Sequence, residues 1–343
     1  MALSEQAALP RRRLGRTGLE LSIIGAGGWI GLQYDALART GWGGVTSDEG
    51  LKQATAVAAV RRALELGINY FDTAPMYSHG EAERVLGKGL RALRPAEQAQ
   101  VHVSTKVGWH PERICQYDAG SIHWSLEQSF RKLGRDRLDI VFIHDPKTDA
   151  HMEQILGPGG AVEALEGLQR QGVIRAIGLG VRTFRFLRRA IDSGRFDAIL
   201  PSYDHTPVRA SLAGLMDYAF ARGVGVVYGS PYLAGLLAGL DPDEAARRRP
   251  TDSPADLARA RALWRWANDR RLDLGAIAMQ YSLRNAHIGV VLAGPRNAAE
   301  LSANVRHATT PLPAGIWEEL EAFTATLPPA GPGGEVDPPN VAG

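Results

Sequence analysis

Four ionisable side chains stand at the downstream ends of three apolar, strand-like runs, or just beyond them. Each run consists mainly of apolar or β-branched residues, and an acid, an amine or an imidazole stands at its last position. If neighbouring parallel strands carry these groups, they meet at one rim, because the carboxyl ends of parallel strands share an edge. Burying such a cluster costs hydration energy, so we interpret it as a candidate active site. The runs are residues 68–72, 101–106 and 138–144, which end in Asp72, Lys106 and His144, and Tyr77 follows the first run.

The phenol of Tyr77 is the group best suited to exchange a proton with a substrate. The reference pKa of tyrosine is about 10, so useful acid–base chemistry needs a cation that stabilises the phenolate. An ammonium at about 4 Å provides roughly 4 kcal/mol at an effective dielectric of ~20, or about 3 pKa units before desolvation opposes it. We expect Lys106, ion-paired with Asp72, to supply this charge and His144 to orient the reacting oxygen. None of these side chains can carry a hydride, so redox chemistry here implies a cofactor.

The elements that position this cluster alternate regularly along the chain. Short β-branched runs are separated by stretches of helical period, which is typical of a parallel sheet built from βα units. Eight such units predict one (β/α)8 barrel, a TIM barrel, as a single domain over residues 1–327. The predicted strands are residues 21–27, 68–72, 101–106, 138–144, 174–179, 197–202, 224–229 and 288–293. The predicted helices include residues 54–66, 81–93, 121–133, 161–171, 184–193, 212–222 and 255–270.

Additional segments flank the predicted barrel. Residues 14–20 predict a hairpin that plugs the bottom of the barrel, and residues 316–327 predict an extra C-terminal helix. The tail, residues 328–343, is rich in Pro and Gly, so we expect it to be largely disordered unless it drapes over the barrel. Three glycines follow predicted helices where a left-handed C-terminal cap would stand: Gly67, Gly134 and Gly172.

The composition argues against several classes of partner. The chain has 343 residues, 45% of them hydrophobic, and a formal charge of +2. The arginine clusters at 11–13 and 247–249 are short and lack interleaved aromatic residues, so no nucleic-acid partner is predicted. The single cysteine, Cys115, excludes an internal disulfide and fits a reducing compartment. With no signal-peptide pattern and no apolar run of about 18 residues, we expect a soluble cytoplasmic protein with no membrane partner.

The usual dinucleotide-binding sequence is missing from this chain. Residues 25–30 form a glycine-rich loop that does not complete G-x-G-x-x-G, and no helix opens there, which argues against a Rossmann fold. A barrel can instead bind phosphates with the loops after its seventh and eighth strands and a helix N-terminus. Residues 294–297, which lead into a helix over 298–306, are placed for that role. No H-E-x-x-H sequence or similar ligand spacing occurs, so no metal site is predicted.

Three segments that contain the four candidate residues resemble the aldo-keto reductase family. They read Asn-Tyr-Phe-Asp-Thr-Ala-Pro-Met-Tyr at 69–77, Ser-Thr-Lys-Val-Gly at 104–108 and Leu-Asp-Ile-Val-Phe-Ile-His-Asp-Pro at 138–146. The resemblance extends over nearly the whole chain, from residues 14–18 to residues 301–305. It implies that Tyr77 is the proton donor or acceptor, that Lys106 and Asp72 tune it and that His144 orients the substrate. It also implies an NAD or NADP cofactor lying extended across the rim.

The same resemblance suggests residues that hold the cofactor. In the family, a Ser-Asn pair after the fifth strand holds the nicotinamide amide. Gly180-Val181 stands there in this chain, so the hydrogen bonds to the amide must come from backbone groups, Ser202 or elsewhere. Arg296 could bind a 2′-phosphate, but Glu300 stands nearby, and the choice between NAD and NADP is left open. The segment 230–235 resembles the family's pyrophosphate loop. The candidate cofactor residues are Gly180, Ser202, Ser230, Leu233, Gly235, Gly294, Arg296 and Asn304.

The predicted substrate is a small molecule, and its class follows from the branch of the family. Residues 104–108 and the His-Asp-Pro at 144–146 are similar to the sugar-oxidising branch, the L-fucose, D-threo-aldose or L-galactose 1-dehydrogenases. This implies an aldose 1-dehydrogenase that forms a lactone. The alternatives are a broad-specificity carbonyl reductase and, from another class, a nucleotide-binding regulatory subunit resembling potassium-channel β subunits. Trp29 and Trp109 are substrate-lining candidates by position, and no oligomeric state is assigned.

Overall fold

The computed structural model describes residues 9–28, 30, 49–248 and 253–335. Its strands are β1 Arg11–Arg13, β2 Glu20–Ser22, β3 Ile24–Gly27, β4 Tyr70–Asp72, β5 His102–Val107, β6 Trp109–His110, β7 Arg113–Ile114, β8 Leu138–His144, β9 Ile174–Gly180, β10 Ala198–Leu200, β11 Gly225–Gly229 and β12 Ile288–Ala293. Eight of them, β3, β4, β5, β8, β9, β10, β11 and β12, form a closed barrel. Every neighbouring pair in the barrel is parallel, which confirms the predicted (β/α)8 fold.

The helices surround the barrel, and several begin at a side-chain cap. Asp118, Ser253 and Asp273 each accept a hydrogen bond from a backbone N–H of the first turn that follows. In the described part of the chain, no helix is both long and apolar enough to cross a bilayer. The helices are α1 Glu49–Glu65, α2 Glu81–Arg91, α3 Pro95–Gln98, α4 Ala119–Leu133, α5 Asp149–Leu156, α6 Ala161–Arg170, α7 Phe184–Asp192, α8 Ala213–Phe220, α9 Pro242–Arg248, α10 Pro254–Asp269, α11 Leu274–Leu283, α12 Ala298–Thr309 and α13 Ile316–Ala325.

The predicted boundaries are mostly confirmed, and four helices are additional. The strands over 138–144 and 288–293 have the predicted bounds, and the expected C-terminal helix is α13. The helices α3, α5, α9 and α11 were not predicted. Gly67, Gly134 and Gly172 all have positive φ, as predicted for left-handed caps.

The first predicted strand, residues 21–27, is wrong at its start. Residues 20–22 belong instead to β2, which pairs antiparallel with β1, and the barrel strand β3 begins at Ile24. Side-chain hydrogen bonds replace strand pairing at this break: Asn69 Oδ1 accepts from the backbone N–H of Ser22 at 2.8 Å. The Ser22 hydroxyl in turn donates to the carbonyl of Ile24 at 2.7 Å, which turns the chain between the two strands.

Side chains fill the barrel interior, and the β1–β2 hairpin closes one end of it. Along β8, Ile140 and Phe142 join the interior cluster, whereas Val141 and Ile143 pack outward under the helices, as the two-residue period of a strand requires. Leu14, in the hairpin, is fully buried in the interior cluster. The strands thus form a rigid frame whose carboxyl ends carry the polar residues.

Residues 328–335, which we call the C-terminal strap, lie against this frame. The backbone N–H of Phe184 donates to the carbonyl of Gly334 at 2.7 Å, and the N–H of Gly331 donates to Asp256 Oδ1 at 2.9 Å. This part of the tail therefore drapes over the barrel. Residues 336–343 lie outside the described residues.

Candidate active site

The four predicted catalytic residues lie together at one rim of the barrel. Asp72 ends β4, Lys106 stands one residue before the end of β5, and His144 ends β8. Because β4 pairs with β5 and β5 with β8, the three side chains come from adjacent strands. All three are buried, with relative exposures of 4%, 2% and 6% in that order. Tyr77 opens a 3-10 turn just beyond β4.

A buried ion pair forms the base of the site. The Lys106 ammonium donates to Asp72 Oδ2 at 2.5 Å and to the carbonyl of Thr73 at 2.9 Å. The Ser104 hydroxyl donates to Asp72 Oδ1 at 2.6 Å, and the Tyr70 hydroxyl lies 2.7 Å from the same Ser104 oxygen. Burial lowers the pKa of Lys106, but Asp72 and then Tyr77 raise it by more, so the net shift is upward. Lys106 is therefore a permanently charged group with a fixed position.

The ring of Tyr77 lies between the ion pair and the imidazole. The Lys106 ammonium is 4.8 Å from the ring centroid, and the His144 ring is 5.9 Å away in an edge-to-face arrangement. Gly28 faces the other part of the ring, since a Cβ there would lie 3.4 Å from Tyr77 Cε2. Apolar side chains of α1 and α2 pack against the ring as well: Ala56, Ala82 and Val85.

Burial decides the protonation state of Tyr77. Burial raises the pKa of the phenol, the charge of Lys106 lowers it, and Asp72 and Asp145 raise it further, for a net shift above 10. We expected Lys106 to lower the pKa of Tyr77. Its contribution does have that sign, but the net shift is upward, so the expectation of an acidic phenol is wrong. Tyr77 is protonated at neutral pH, and Lys106 limits how far burial raises its pKa.

His144 is a neutral imidazole in this environment. Burial lowers its pKa to about 4, with smaller opposing and reinforcing contributions from neighbouring charges. Its Nδ1 is buried and has no hydrogen-bond partner among the described residues. The backbone carbonyl of His144 accepts from the Tyr117 hydroxyl at 2.8 Å, which fixes the end of β8. A buried, unpaired ring nitrogen at this rim can be satisfied by a polar group of a bound molecule.

Of the two predicted substrate-lining tryptophans, one can be placed. Trp109 begins the β6–β7 hairpin, and its indole N–H lies 3.0 Å from the Tyr117 hydroxyl and 3.1 Å from the carbonyl of Asp145. The Lys147 ammonium lies 5.2 Å from the Trp109 ring centroid. Trp109 is therefore next to the end of β8. Trp29 lies outside the described residues.

The predicted pyrophosphate loop follows β11 in an unusual backbone conformation. Ser230, Leu233 and Gly235 have φ values of 61°, 48° and 102°, which are left-handed conformations that glycine tolerates best. The hydroxyl of Tyr232 donates to Asn304 Oδ1 at 3.0 Å, which ties this loop to α12. A Cβ at Gly235 would meet nothing within 4 Å, so the loop faces open space at the rim.

The loop after β12 leads into the N-terminus of α12. Asn297 caps this helix, and both Gly294 and Arg296 just before it are exposed. Arg296 is already engaged, because its Nε donates to Glu300 Oε1 and its backbone N–H to Glu300 Oε2, both at 2.8 Å. This pairing raises the pKa of Arg296. A helix N-terminus, a guanidinium and an open left-handed loop at one rim fit the phosphates of a dinucleotide.

The remaining cofactor candidates form a separate group after β9 and β10. Gly180 ends β9, and its carbonyl accepts from the backbone N–H of Asp145 at 2.8 Å. Ser202 follows β10 and forms an isolated bridge with Gly229. The rim thus presents two sets of cofactor candidates, one after β9 and β10 and one after β11 and β12.

Two residues of the site were missed from the sequence. Ser104 shares Asp72 with Lys106, and its position two residues before Lys106 on the same strand face was a usable signal. Asp145 has a left-handed φ of 46° and contributes to the pKa of both Tyr77 and His144. Its sequence position next to His144 gave no indication of that conformation.

The comparisons with known proteins agree with this geometry. The aldo/keto reductase family model matches residues 38–325, and the chain belongs to this family. L-galactose dehydrogenase of Arabidopsis thaliana is 33% identical over 323 residues, covering 93% of this chain and 94% of that protein. D-threo-aldose 1-dehydrogenase of a Pseudomonas species is 30% identical over 288 residues, covering 77% of this chain and 86% of that protein. The chain is an oxidoreductase that uses a nicotinamide cofactor, NAD or NADP.

A solved structure shares the fold at lower identity. An aldo-keto reductase from Bacillus halodurans, in its holo form, superposes with a TM-score of 0.69 at 24% identity. The match covers 92% of this chain and 96% of that one, so the barrel and its flanking elements correspond over almost their whole length.

Proposed function

We propose that this enzyme oxidises the C1 hydroxyl of an aldose to a lactone, with Tyr77 taking the proton. The observation that carries the proposal is the position of Tyr77, 4.8 Å from the Lys106 ammonium and 5.9 Å from the His144 ring. The names of the relatives, L-galactose dehydrogenase and D-threo-aldose 1-dehydrogenase, support an aldose as substrate. The reverse reaction, reduction of a carbonyl, uses the same groups.

Each of the four residues has a separate task in this proposal. In the oxidation, the proton of the substrate hydroxyl moves to Tyr77 Oη, which must first be deprotonated. Lys106 stabilises that phenolate, and Asp72 holds the ammonium in place. The neutral imidazole of His144 forms a hydrogen bond with the reacting oxygen and positions it against Tyr77.

The cofactor supplies the hydride acceptor for oxidation and the hydride donor for reduction. The loop after β11 and the N-terminus of α12 would hold its phosphates, because both follow barrel strands at the same rim and a helix N-terminus favours an anion. Gly180 and Ser202 would contact the nicotinamide end. The residues proposed to hold the rest of the cofactor are Ser230, Leu233, Gly235, Gly294, Arg296 and Asn304.

A substrate panel separates this proposal from a general carbonyl reductase. We expect L-galactose, L-fucose or D-arabinose to reduce the nucleotide with a kcat/KM at least about tenfold above that for reduction of benzaldehyde. The assays are run with both NAD and NADP in the oxidative direction, and with both reduced forms in the reductive direction. Rapid benzaldehyde reduction without turnover of any aldose would make the carbonyl reductase the better description.

The two directions of the reaction should respond differently to pH. Tyr77 has a pKa above 10, so it is protonated from pH 5 to 9, and carbonyl reduction should be flat over that range. Oxidation needs the deprotonated phenol, so its kcat/KM should rise by about tenfold per pH unit over the same range. His144, with a pKa of about 4, should contribute no inflection above pH 5. Initial rates at constant ionic strength test this, and an oxidation plateau already reached at pH 7 would contradict it.

The Arg296–Glu300 pair is proposed to set the nucleotide preference. A 2′-phosphate must displace the Glu300 carboxylate from Arg296, so we propose that NAD is bound at least as well as NADP. Replacing Glu300 by glutamine frees the guanidinium, and we expect NADP affinity to rise by about tenfold while NAD affinity changes little. Fluorescence titration with both reduced nucleotides measures the ratio.

A matched control for this variant lies on α4. Glu127 pairs with Arg131 at the same i,i+4 spacing as the Arg296–Glu300 pair, but on an exposed helix face. Glu127→Gln should leave both affinities unchanged. If Glu300→Gln behaves in the same way as this control, Arg296 does not bind the 2′-phosphate.

A further inference from the structure

A cluster of four charged side chains lies beneath the C-terminal strap, three of them buried and the fourth, Arg182, partly exposed. Asp204 is fully buried, and the side chains of Arg209 and Asp256 are 5% and 8% exposed. Two positive and two negative charges balance within the cluster, and close pairing offsets the cost of burying them. Its members are Arg182, Asp204, Arg209 and Asp256.

One pair in this cluster joins two loops of the active-site rim. Arg182 donates from Nε to Asp204 Oδ2 and from Nη2 to Asp204 Oδ1, both at 2.9 Å. Arg182 stands two residues after Gly180, in the loop after β9, and Asp204 stands two residues after Ser202, in the loop after β10. A two-bond arginine–carboxylate pair fixes orientation as well as distance, so it sets the spacing of these two loops.

The backbone of the strap adds hydrogen bonds to members of the cluster. The carbonyl of Pro332 accepts from Arg182 at 3.1 Å and from Arg209 at 2.9 Å. The N–H of Gly334 donates to Asp204 Oδ2 at 3.0 Å. Buried charged groups that lose such partners carry a large desolvation cost, so the geometry of the cluster depends on the strap.

At two glycines of the strap, the space beneath has no room for a side chain. A Cβ on Gly331 would overlap the hydroxyl of Ser253, and one on Gly334 would overlap the carbonyl oxygen of Arg182. The carbonyl of Gly334 also accepts from the N–H of Phe184, immediately before α7. Glycine is therefore required where the strap crosses the loop after β9.

We propose that the C-terminal strap is a positioning element for the nicotinamide end of the cofactor. This inference rests on the proposed function, in which Gly180 and Ser202 contact the nicotinamide. Gly180 and Val181 have no polar side chain, so their contacts with the nicotinamide come from the backbone. The geometry of these contacts depends on how firmly the loops after β9 and β10 are held. The strap and the Arg182–Asp204 pair fix the positions of both loops.

Two variants and a matched control test the strap. Gly334→Ala should force the strap away from Arg182, whereas Gly214→Ala places a methyl group on α8 where nothing lies within 4 Å. Arg182→Met removes the link between the loops without adding bulk, and Arg182→Lys restores the charge. The dissociation constants of the reduced nucleotides, kcat, KM and the thermal midpoint are measured for the full-length proteins. Limited proteolysis with intact-mass analysis reports whether the C-terminus has become accessible.

We expect Gly334→Ala and Arg182→Met to raise the nucleotide dissociation constant by about tenfold, with kcat at saturation changed by less than about threefold. Arg182→Lys should recover part of that affinity, and Gly214→Ala should match the wild type. A purely structural role would lower the thermal midpoint and the active fraction while leaving the dissociation constant unchanged. Unchanged nucleotide affinity in both variants, with or without exposure of the C-terminus, would overturn the proposal. If the wild-type protein itself binds neither nucleotide, the proposed function fails rather than the strap alone.

Discussion

Tyr77→Phe should reduce turnover in both directions by about 10²- to 10⁴-fold, the range expected for loss of a positioned acid–base group. The variant removes one oxygen atom and leaves the ring, which packs on Gly28 and on α1 and α2. Nucleotide affinity should therefore stay within about twofold of the wild type, since no cofactor contact is assigned to the phenol. Steady-state rates with the best aldose and fluorescence titration with the reduced nucleotide measure the two quantities.

Tyr218→Phe provides the control for this experiment. Tyr218 lies on α8, and its hydroxyl donates to Asp192 at the end of α7 in an exposed contact. Neither residue belongs to the site, so loss of this hydroxyl should leave turnover unchanged. A Tyr77→Phe protein that keeps more than about a tenth of the wild-type rate would remove Tyr77 from the proton transfer. Nucleotide binding by both proteins without turnover in either would favour the regulatory-subunit alternative.

Breaking the Asp72–Lys106 pair from one side should cost more than removing both charges. Lys106→Met leaves the Asp72 carboxylate buried without its cation, and we expect a loss of about 3–5 kcal/mol in the free energy of unfolding. Asp72→Asn leaves the ammonium without its anion and should be destabilising for the same reason. The double variant should recover at least about half of the larger single loss, because neutral buried groups require no partner charge. All three proteins should be inactive, since Tyr77 loses the fixed cation that stabilises its phenolate.

Chemical denaturation of the four proteins at pH 7 measures this coupling. Arg131→Met, which breaks an exposed pair with Glu127, should change the unfolding free energy by less than about 1 kcal/mol. Strictly additive losses in the double variant would mean that the two charges do not compensate each other. The cycle also separates stability from activity, because the double variant is expected to fold and yet not to turn over.

The barrel and the catalytic rim could be predicted because their signals are local. A parallel strand buried on both faces is a nearly continuous apolar run, so residues 138–144 and 288–293 have the predicted bounds. A polar residue that ends such a run must lie at the rim, and this placed Asp72 and His144 correctly in the fold. The resemblance to the aldo-keto reductase family was found in three segments that include these runs and the residues just after them.

Other features depend on contacts that no local pattern encodes. The helix α11, Leu274–Leu283, is buried on nearly all sides, so it lacks the polar face by which an amphipathic helix is predicted. The Pro/Gly content of the tail predicts disorder unless it drapes over the barrel. Local sequence does not show the contact that holds the strap, because Asp204 lies 130 residues away from Gly334. The pKa of Tyr77 depends on opposing contributions from burial and from Lys106, and only the folded geometry shows that burial is larger.

The central claim is that Tyr77 takes the proton from the C1 hydroxyl of an aldose while a lactone forms. Its most direct test is product analysis by NMR, with an aldose carrying carbon-13 at C1 and stoichiometric measurement of the reduced nucleotide. We predict that the C1 signal of the lactone grows in equal amount to the reduced nucleotide with the wild-type enzyme, and hardly at all with Tyr77→Phe. No lactone from any aldose, or lactone formed at the wild-type rate by the variant, would contradict the claim.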